Sequence, residues 1–217
     1  MNNVSTQRED SGKFRFTVMP ENGDWEKLTL FLHEAYKEHA LANRCYKACG
    51  QNAEETKQRC RGNTCLLAWS ENELAGTVTM EKRCHGNVAY GYIMQLAVAP
   101  QFRQFGLGHL LLIQMEELAR QRGYAYLSCD TASTAVKLVN WYVRQGWRKV
   151  ACISHGETNY YSTVFQKDWE KASSGTMDWR YPWSCLKCRL LWTSGGKLRL
   201  FGRILKAVRN TFRSKGK

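Results

Sequence analysis

No apolar run in this 217-residue chain reaches the roughly 18 residues that a membrane-spanning helix needs. The opening MNNVSTQRED lacks the basic-then-apolar pattern of an export signal, so a cytoplasmic setting is expected. Nine cysteines are an odd number, which argues against a closed disulfide framework, and they read as reduced thiols. Cys45, Cys49, Cys60 and Cys65 lack the short knuckle spacing of structural zinc sites, so no metal is expected there. Buried thiols acting as small hydrophobes are the simpler reading. The most uneven absence is of acids. From Trp179 to Lys217 there are eleven Lys and Arg and no Asp or Glu. The whole chain is +13, so everything before Trp179 carries only about +2. The basic balance belongs to the C-terminal stretch and says little about the rest.

The length suits one domain with extras, and a core of about 150 residues buries roughly 70 % of its unfolded surface. Residues 1–12 read as a flexible N-terminus, 13–169 as the domain, and 170–217 as an aromatic and basic extension. Lys13 to Met19 alternates, with Phe14, Phe16 and Val18 on one face, and reads as a strand ended by Pro20. Asp24 is placed to cap a helix through Trp25, Leu28, Leu32 and Tyr36; Ala53 to Cys60 is a second, highly charged helix. Thr64 to Trp69 and Leu74 to Glu81 flank Ser70-Glu71-Asn72-Glu73 as a hairpin, and Arg83 to Asn87 reads as a polar loop. Further on come a strand from Tyr124 to Cys129 and a helix from Thr134 to Gln145 stopped by Gly146. Strands Trp147 to Ile153 and Asn159 to Phe165, joined by Ser154 to Glu157, complete the order.

The chain is organised around Gln95 to Arg122. An apolar run from Ile93 to Val98, ended by Pro100, reads as a buried strand. Gly108 to Arg122 is helical, with Leu110, Leu111, Met115, Leu118 and Ala119 at helical spacing and Gly123 as its stop. Between them lies Arg103-x-x-Gly106-x-Gly108. Two glycines let the backbone turn and leave its amides uncovered, and the helix behind them brings free N–H groups and partial positive charge. This is an anion site, to which Arg103 is expected to add a full charge. Two phosphate motifs fail: no Lys follows Gly108 as a P-loop requires, and Leu111 stands where the dinucleotide pattern needs a third glycine.

The stretch resembles the acyl-coenzyme A loop of the GNAT N-acetyltransferase superfamily. Val98-Ala99-Pro100, Arg103, Gly106 and Gly108 fall on that pattern position by position. About 35 residues on, Trp141-Tyr142-x-x-x-Gly146-Trp147 resembles a second family motif, although Ala135 stands where the family often has Asn. The resemblance spans about residues 13–168. It implies an α/β fold whose central sheet is mixed and mostly antiparallel, with two splayed parallel strands and helices on both faces. It further implies transfer of acetyl from acetyl-CoA, as co-substrate, to a primary amine by direct attack. Backbone groups of Leu96 and Val98 would pair with the pantetheine arm, and an amide near Leu96 would polarise the thioester carbonyl. Arg103 and the loop residues Gln104, Phe105, Gly106, Leu107, Gly108 and His109 would hold the pyrophosphate. Tyr142, a phenol with pKa about 10, is the family-matched acid for the departing thiolate.

The base is less defined by the motif: Glu81 is the first candidate, with Glu34 and Asp130 as alternatives. His85 and His155 read as solvated loop residues, and Cys129 as packing. Cys185-x-x-Cys188 is a thiol pair open to metal or lipid. In the extension, Leu198, Phe201, Leu205, Val208 and Phe212 suggest an amphipathic helix over Lys197–Arg213, with Trp179, Tyr181, Trp183 and Trp192 ahead of it. Three readings stay open there: a peripheral anchor at an anionic inner membrane face, a nucleic-acid contact, or a tail packed on the domain. The competing function class is accordingly a non-catalytic acyl-CoA-binding or interaction module on membrane or RNA. A tRNA-directed acetyltransferase stands between the two, and the acceptor itself, a small-molecule or peptide amine, carries no legible signature.

Overall fold

In the computed structural model, which describes residues 13–169, 177–199 and 202–203, Asp24 accepts a hydrogen bond from the Lys27 amide at 2.9 Å. That bond starts α1 (Trp25–Leu41) where the sequence places it. Asn52 and Glu55 cap α2 (Ala53–Cys60) reciprocally, each side chain bonding the other's backbone amide. The strands are β1 (Arg15–Val18), β2 (Thr64–Ser70), β3 (Glu73–His85), β4 (Val88–Val98), β5 (Tyr126–Ala132), β6 (Arg148–Ser154) and β7 (Tyr161–Asp168). The later helices are α3 (Leu107–Gln121), α4 (Val136–Arg144) and α5 (Tyr181–Leu191). Strand order is β1-β2-β3-β4-β5-β7-β6, and β4 and β5 are the parallel pair in a mostly antiparallel α/β arrangement. The chain divides within β5 into two compact units, 1–129 and 130–217. No helix among the described residues is long and apolar enough to cross a membrane.

One expected loop is absent. Arg83 to Asn87 does not interrupt the sheet: β3 runs to His85 and β4 begins at Val88, leaving Gly86 (φ 58°) and Asn87 as the turn. Pairing in register down to His85–Val88 overrides the polar composition, and Arg83 lies 3.5 Å over the Tyr92 ring.

In the first unit, helices cover both faces of the sheet. On one face Leu28, Leu32 and Ala35 of α1 pack with Cys60, Cys65, Leu67 and Ala97. On the other, a Cβ on Gly76 would meet Leu111 Cδ1 at 2.9 Å and Leu107 Cδ2 at 3.1 Å, so α3 lies directly against the backbone there. Leu107, Leu111, Met115 and Ala119 are fully buried beneath it. Polar bonds join α1 to α2: Thr29 Oγ1 donates to Thr56 Oγ1 at 2.6 Å, and Gln51 Nε2 donates to the same oxygen at 2.7 Å.

In the second unit, Tyr142 of α4 stacks on Phe165 of β7 with centroids 5.1 Å apart, and Trp147 meets its edge at 5.6 Å. The described part of the extension is docked here. Met177 bridges Lys149, and Ser184 of α5 bonds both the amide and the carbonyl of Cys152, at 2.9 and 3.3 Å. A turn over residues 193–197 hooks onto Ser154, whose hydroxyl donates to Thr193 O and accepts from the Gly196 amide. The helix expected over Lys197–Arg213 does not begin at Lys197, because Leu198 pairs with Trp192 as an antiparallel bridge and Arg199 N donates to Leu191 O at 2.8 Å. Gly202 and Arg203 are helical, and the remainder of that span lies outside the described residues.

Candidate active site

Gln95 is a polar residue in the middle of an apolar strand, and the structure turns it into an irregularity. Thr77 pairs with Ala97 but Thr79 with Met94, so β4 carries one residue more than β3 across this step. Gln95 takes φ 52°, a left-handed backbone that costs a non-glycine residue about 1–2 kcal/mol. Gln95 is 4 % exposed; Oε1 accepts from Cys60 Sγ at 3.6 Å, and Nε2 has no hydrogen-bond partner among the described residues. Next to the bulge, Tyr36 of α1 donates its hydroxyl to Leu96 O at 3.1 Å. Burial, then the neighbouring Tyr46, pushes the Tyr36 phenol well above its ordinary range, so it stays a donor. Cys60 is likewise held as a thiol by its bond with Cys65 and by burial.

The parallel pairing of β4 with β5 is at Gly91–Leu127 and Tyr92–Ser128, while β4 runs on past the bulge to Val98. A 3-10 turn, Pro100–Phe105, then delivers the chain to Gly106 at φ 74°, where a Cβ would meet nothing within 4 Å. Gly106 O accepts the amides of His109 and Leu110 at 2.9 and 3.1 Å. The amides of Leu107 and Gly108 therefore precede the first bonds of α3, no side chain caps that end, and its first turn holds no acid. The side chains of Gln104, Phe105 and His109 are exposed, while that of Leu107 is buried, so its amide is what it offers. An uncapped helix terminus behind an open glycine fits a diphosphate. Arg103 differs from the expected free cation. It donates to Glu38 Oε2 at 2.8 Å, Ala35 O at 2.9 Å and Val98 O at 3.3 Å, tying the turn to α1 with its charge balanced by Glu38.

Of the carboxylates, Glu81 is already engaged: Arg83 contacts its Oε2 through Nε at 2.7 Å and Nη2 at 2.6 Å. Glu34 is exposed and faces Lys37 at 3.3 Å. In the second unit Asp130 Oδ2 lies 3.2 Å from His155 Nε2, with the Asp130 side chain 12 % exposed. His155 is thus not merely solvated; a loop histidine and a strand-end aspartate, 25 residues apart, form a hydrogen-bonded pair. The sequence holds both residues but no spacing rule that joins them. Tyr142 is 5 % exposed in its aromatic cluster, and Ala135 precedes α4 without a capping side chain. Among the described residues no three His, Cys, Asp or Glu side chains group as a metal site.

A family model described as "Acetyltransferase (GNAT) family" matches residues 25–147, which spans α1, the bulged strand, the glycine turn and Tyr142. Several solved structures have a similar fold. A GNAT family acetyltransferase from Elizabethkingia anophelis with acetyl-CoA bound is 15 % identical, at TM-score 0.55, over 73 % of this chain and 100 % of that one. An N-acetyltransferase from Staphylococcus aureus Mu50 is 13 % identical, at TM-score 0.58, over 71 % and 97 %. RimL, a ribosomal alpha-N-protein acetyltransferase in complex with coenzyme A, is 15 % identical, at TM-score 0.57, over 73 % and 95 %. A search of curated proteins gave no match to this sequence.

Proposed function

Because the chain belongs to the GNAT acetyltransferase family, we propose that it moves the acetyl group of acetyl-coenzyme A to a primary amine by direct attack. The observation that carries this reading is the bulge at Gln95 leading into the uncapped, open-glycine start of α3, all within the matched segment. The free amides of Leu107 and Gly108 hold the pyrophosphate, with Gln104, Phe105 and His109 exposed around them; the His109 amide, expected to join them, is spent on Gly106 O. Arg103 contributes by clamping the turn through Glu38 and Ala35. Leu96 and Val98 offer backbone groups to the pantetheine arm beyond the last β4–β5 pair, and the Leu96 amide polarises the thioester carbonyl. The amine attacks that carbonyl carbon, the C–S bond breaks, and Tyr142 gives its proton to the thiolate sulfur. The acceptor is a small-molecule or peptide amine.

Glu81 is the first of the carboxylates that the sequence offers as base, and the Asp130–His155 bond favours a second reading. There His155 takes the ammonium proton, directly or through water, while Asp130 orients its ring. The two readings separate in a pH–rate profile of kcat/KM. If His155 is the base, His155→Gln removes the acidic limb of the profile and Glu81→Gln leaves it; the reverse outcome assigns Glu81. The activity itself is tested by mass spectrometry of a panel of small amines and free-N-terminal peptides incubated with acetyl-CoA and the chain. A mass gain of one acetyl group is expected. Coenzyme A binding with no acetylated product would instead indicate a binding module, and absence of binding would remove the proposal.

A further inference from the structure

Helix α5 has two unlike long sides. Tyr181, Ser184 and Cys188 face the second unit's strands: Tyr181 OH meets Thr163 Oγ1 at 3.0 Å, Ser184 grips the Cys152 backbone, and Cys188 is buried. The other side carries Trp183, Leu186 and Leu190, at 67, 50 and 49 % exposure, and Trp179, 72 % exposed, lies in the turn just before the helix. At about 100° per residue the three helical positions fall in one stripe roughly 60° wide. Exposed apolar residues normally occur singly. Here they line up on a helix whose opposite side is already docked, so the stripe is not half of this unit's core. By the same helical geometry Arg180 and Lys187 flank it on one side and Arg189 on the other, all exposed.

Charge selects the occupant. The chain has no acid between Trp179 and Lys217, so a second copy would bring two cationic surfaces together with nothing to neutralise them. A nucleic acid would match the cations but leave Leu186 and Leu190 against a phosphate backbone. An anionic bilayer surface satisfies both parts: acyl chains and the headgroup boundary take the stripe, and phosphates take the cations. We propose that the exposed stripe Trp183, Leu186 and Leu190 of α5, with Trp179 just ahead of it and Arg180, Lys187 and Arg189 flanking it, seats the protein on an anionic lipid surface. This stands independently of the acetyl-transfer reading, and it adds α5 as a membrane contact ahead of the helix expected over Lys197–Arg213.

The test is flotation of the full chain with vesicles of phosphatidylcholine alone or mixed with phosphatidylglycerol. Binding is expected only to the mixed vesicles, and it weakens as salt is raised. Trp183→Glu with Leu186→Glu should abolish it while circular dichroism stays unchanged, since both side chains are exposed. Lys187→Gln and Arg189→Gln should each weaken it about five-fold. Leu30→Glu, at an equally exposed leucine of α1, should bind as the parent does. The proposal is overturned if mixed vesicles do not retain the chain, if the double glutamate variant still floats, or if Leu30→Glu fails equally. It also falls if the parent is a dimer in sedimentation that the double variant splits, or if the double variant loses binding to single-stranded RNA instead of vesicles.

Discussion

Tyr142 shows how one side chain can serve both packing and chemistry. Its ring is locked between Phe165 and Trp147, which fixes the direction in which its hydroxyl points. Tyr142→Phe keeps that stacking and removes only the proton source. We expect kcat to fall about 10²-fold or more, with coenzyme A affinity by calorimetry essentially unchanged. Unaltered turnover would strip Tyr142 of the acid's role. His39 gives a prediction about stability. Burial, followed by Arg44, lowers its pKa below the ordinary histidine value, although Glu38 opposes the shift. The unfolded chain therefore binds the proton more readily than the folded one. His39 contributes its stabilisation above pH about 6.5, and this is lost as pH falls through the lower folded value. Urea midpoints at pH 7.5 and pH 5 should differ more for the parent than for His39→Gln; equal differences would show that His39 has no part in it.

The glycine turn before α3 belongs to the scale of elements. Gly106 is left-handed with open space where a Cβ would lie, so a substitution there strains the backbone without a collision. Gly106→Val should cost about 1–2 kcal/mol in denaturant stability. It should lower coenzyme A affinity by a larger factor, because the shifted amides no longer converge; a variant with parental affinity would place the pyrophosphate elsewhere. Turns of this kind were legible in the sequence because their causes are local. Gly106, Gly123 and Gly146 all take positive φ, at 74, 68 and 79°, and Asp24 caps the helix it precedes. Features set by distant partners were not legible. The extension of β3 to His85 depends on its pairing with Val88, and the Asp130–His155 bond joins residues on separate elements. Helix α5 was hidden because its docked side is made of Tyr181, Ser184, Cys185 and Cys188, which do not read as an apolar face.

For the whole molecule, the charge is divided along the chain: about +2 before Trp179 and eleven cations after it. The described part of that basic segment is nevertheless part of the folded second unit. Ser184 satisfies the amide and carbonyl of Cys152 on β6, the last strand in the order, and Arg199 and Trp192 both reach Tyr161 on β7. A chain ending at Trp169 would uncover that strand's backbone. We expect it to scatter light and melt lower than the parent. A soluble truncation with the parental melting temperature would mean the extension adds nothing to the fold.

The extra residue in β4 has one more effect. Gly91, Ile93, Gln95 and Ala97 are all buried, an unbroken every-other-residue pattern. Yet Ile93 sits opposite Met80, beneath α3, whereas Ala97 sits opposite Thr77, beneath α1. The strand changes sides at Gln95, and helices on both sides conceal the exchange from any tally of alternating apolar positions. Deleting that one glutamine would leave Ala97 opposite Thr77 and Val98 opposite Gly76 in an unbroken ladder, and the kink that bends this strand from a straight course would vanish with it.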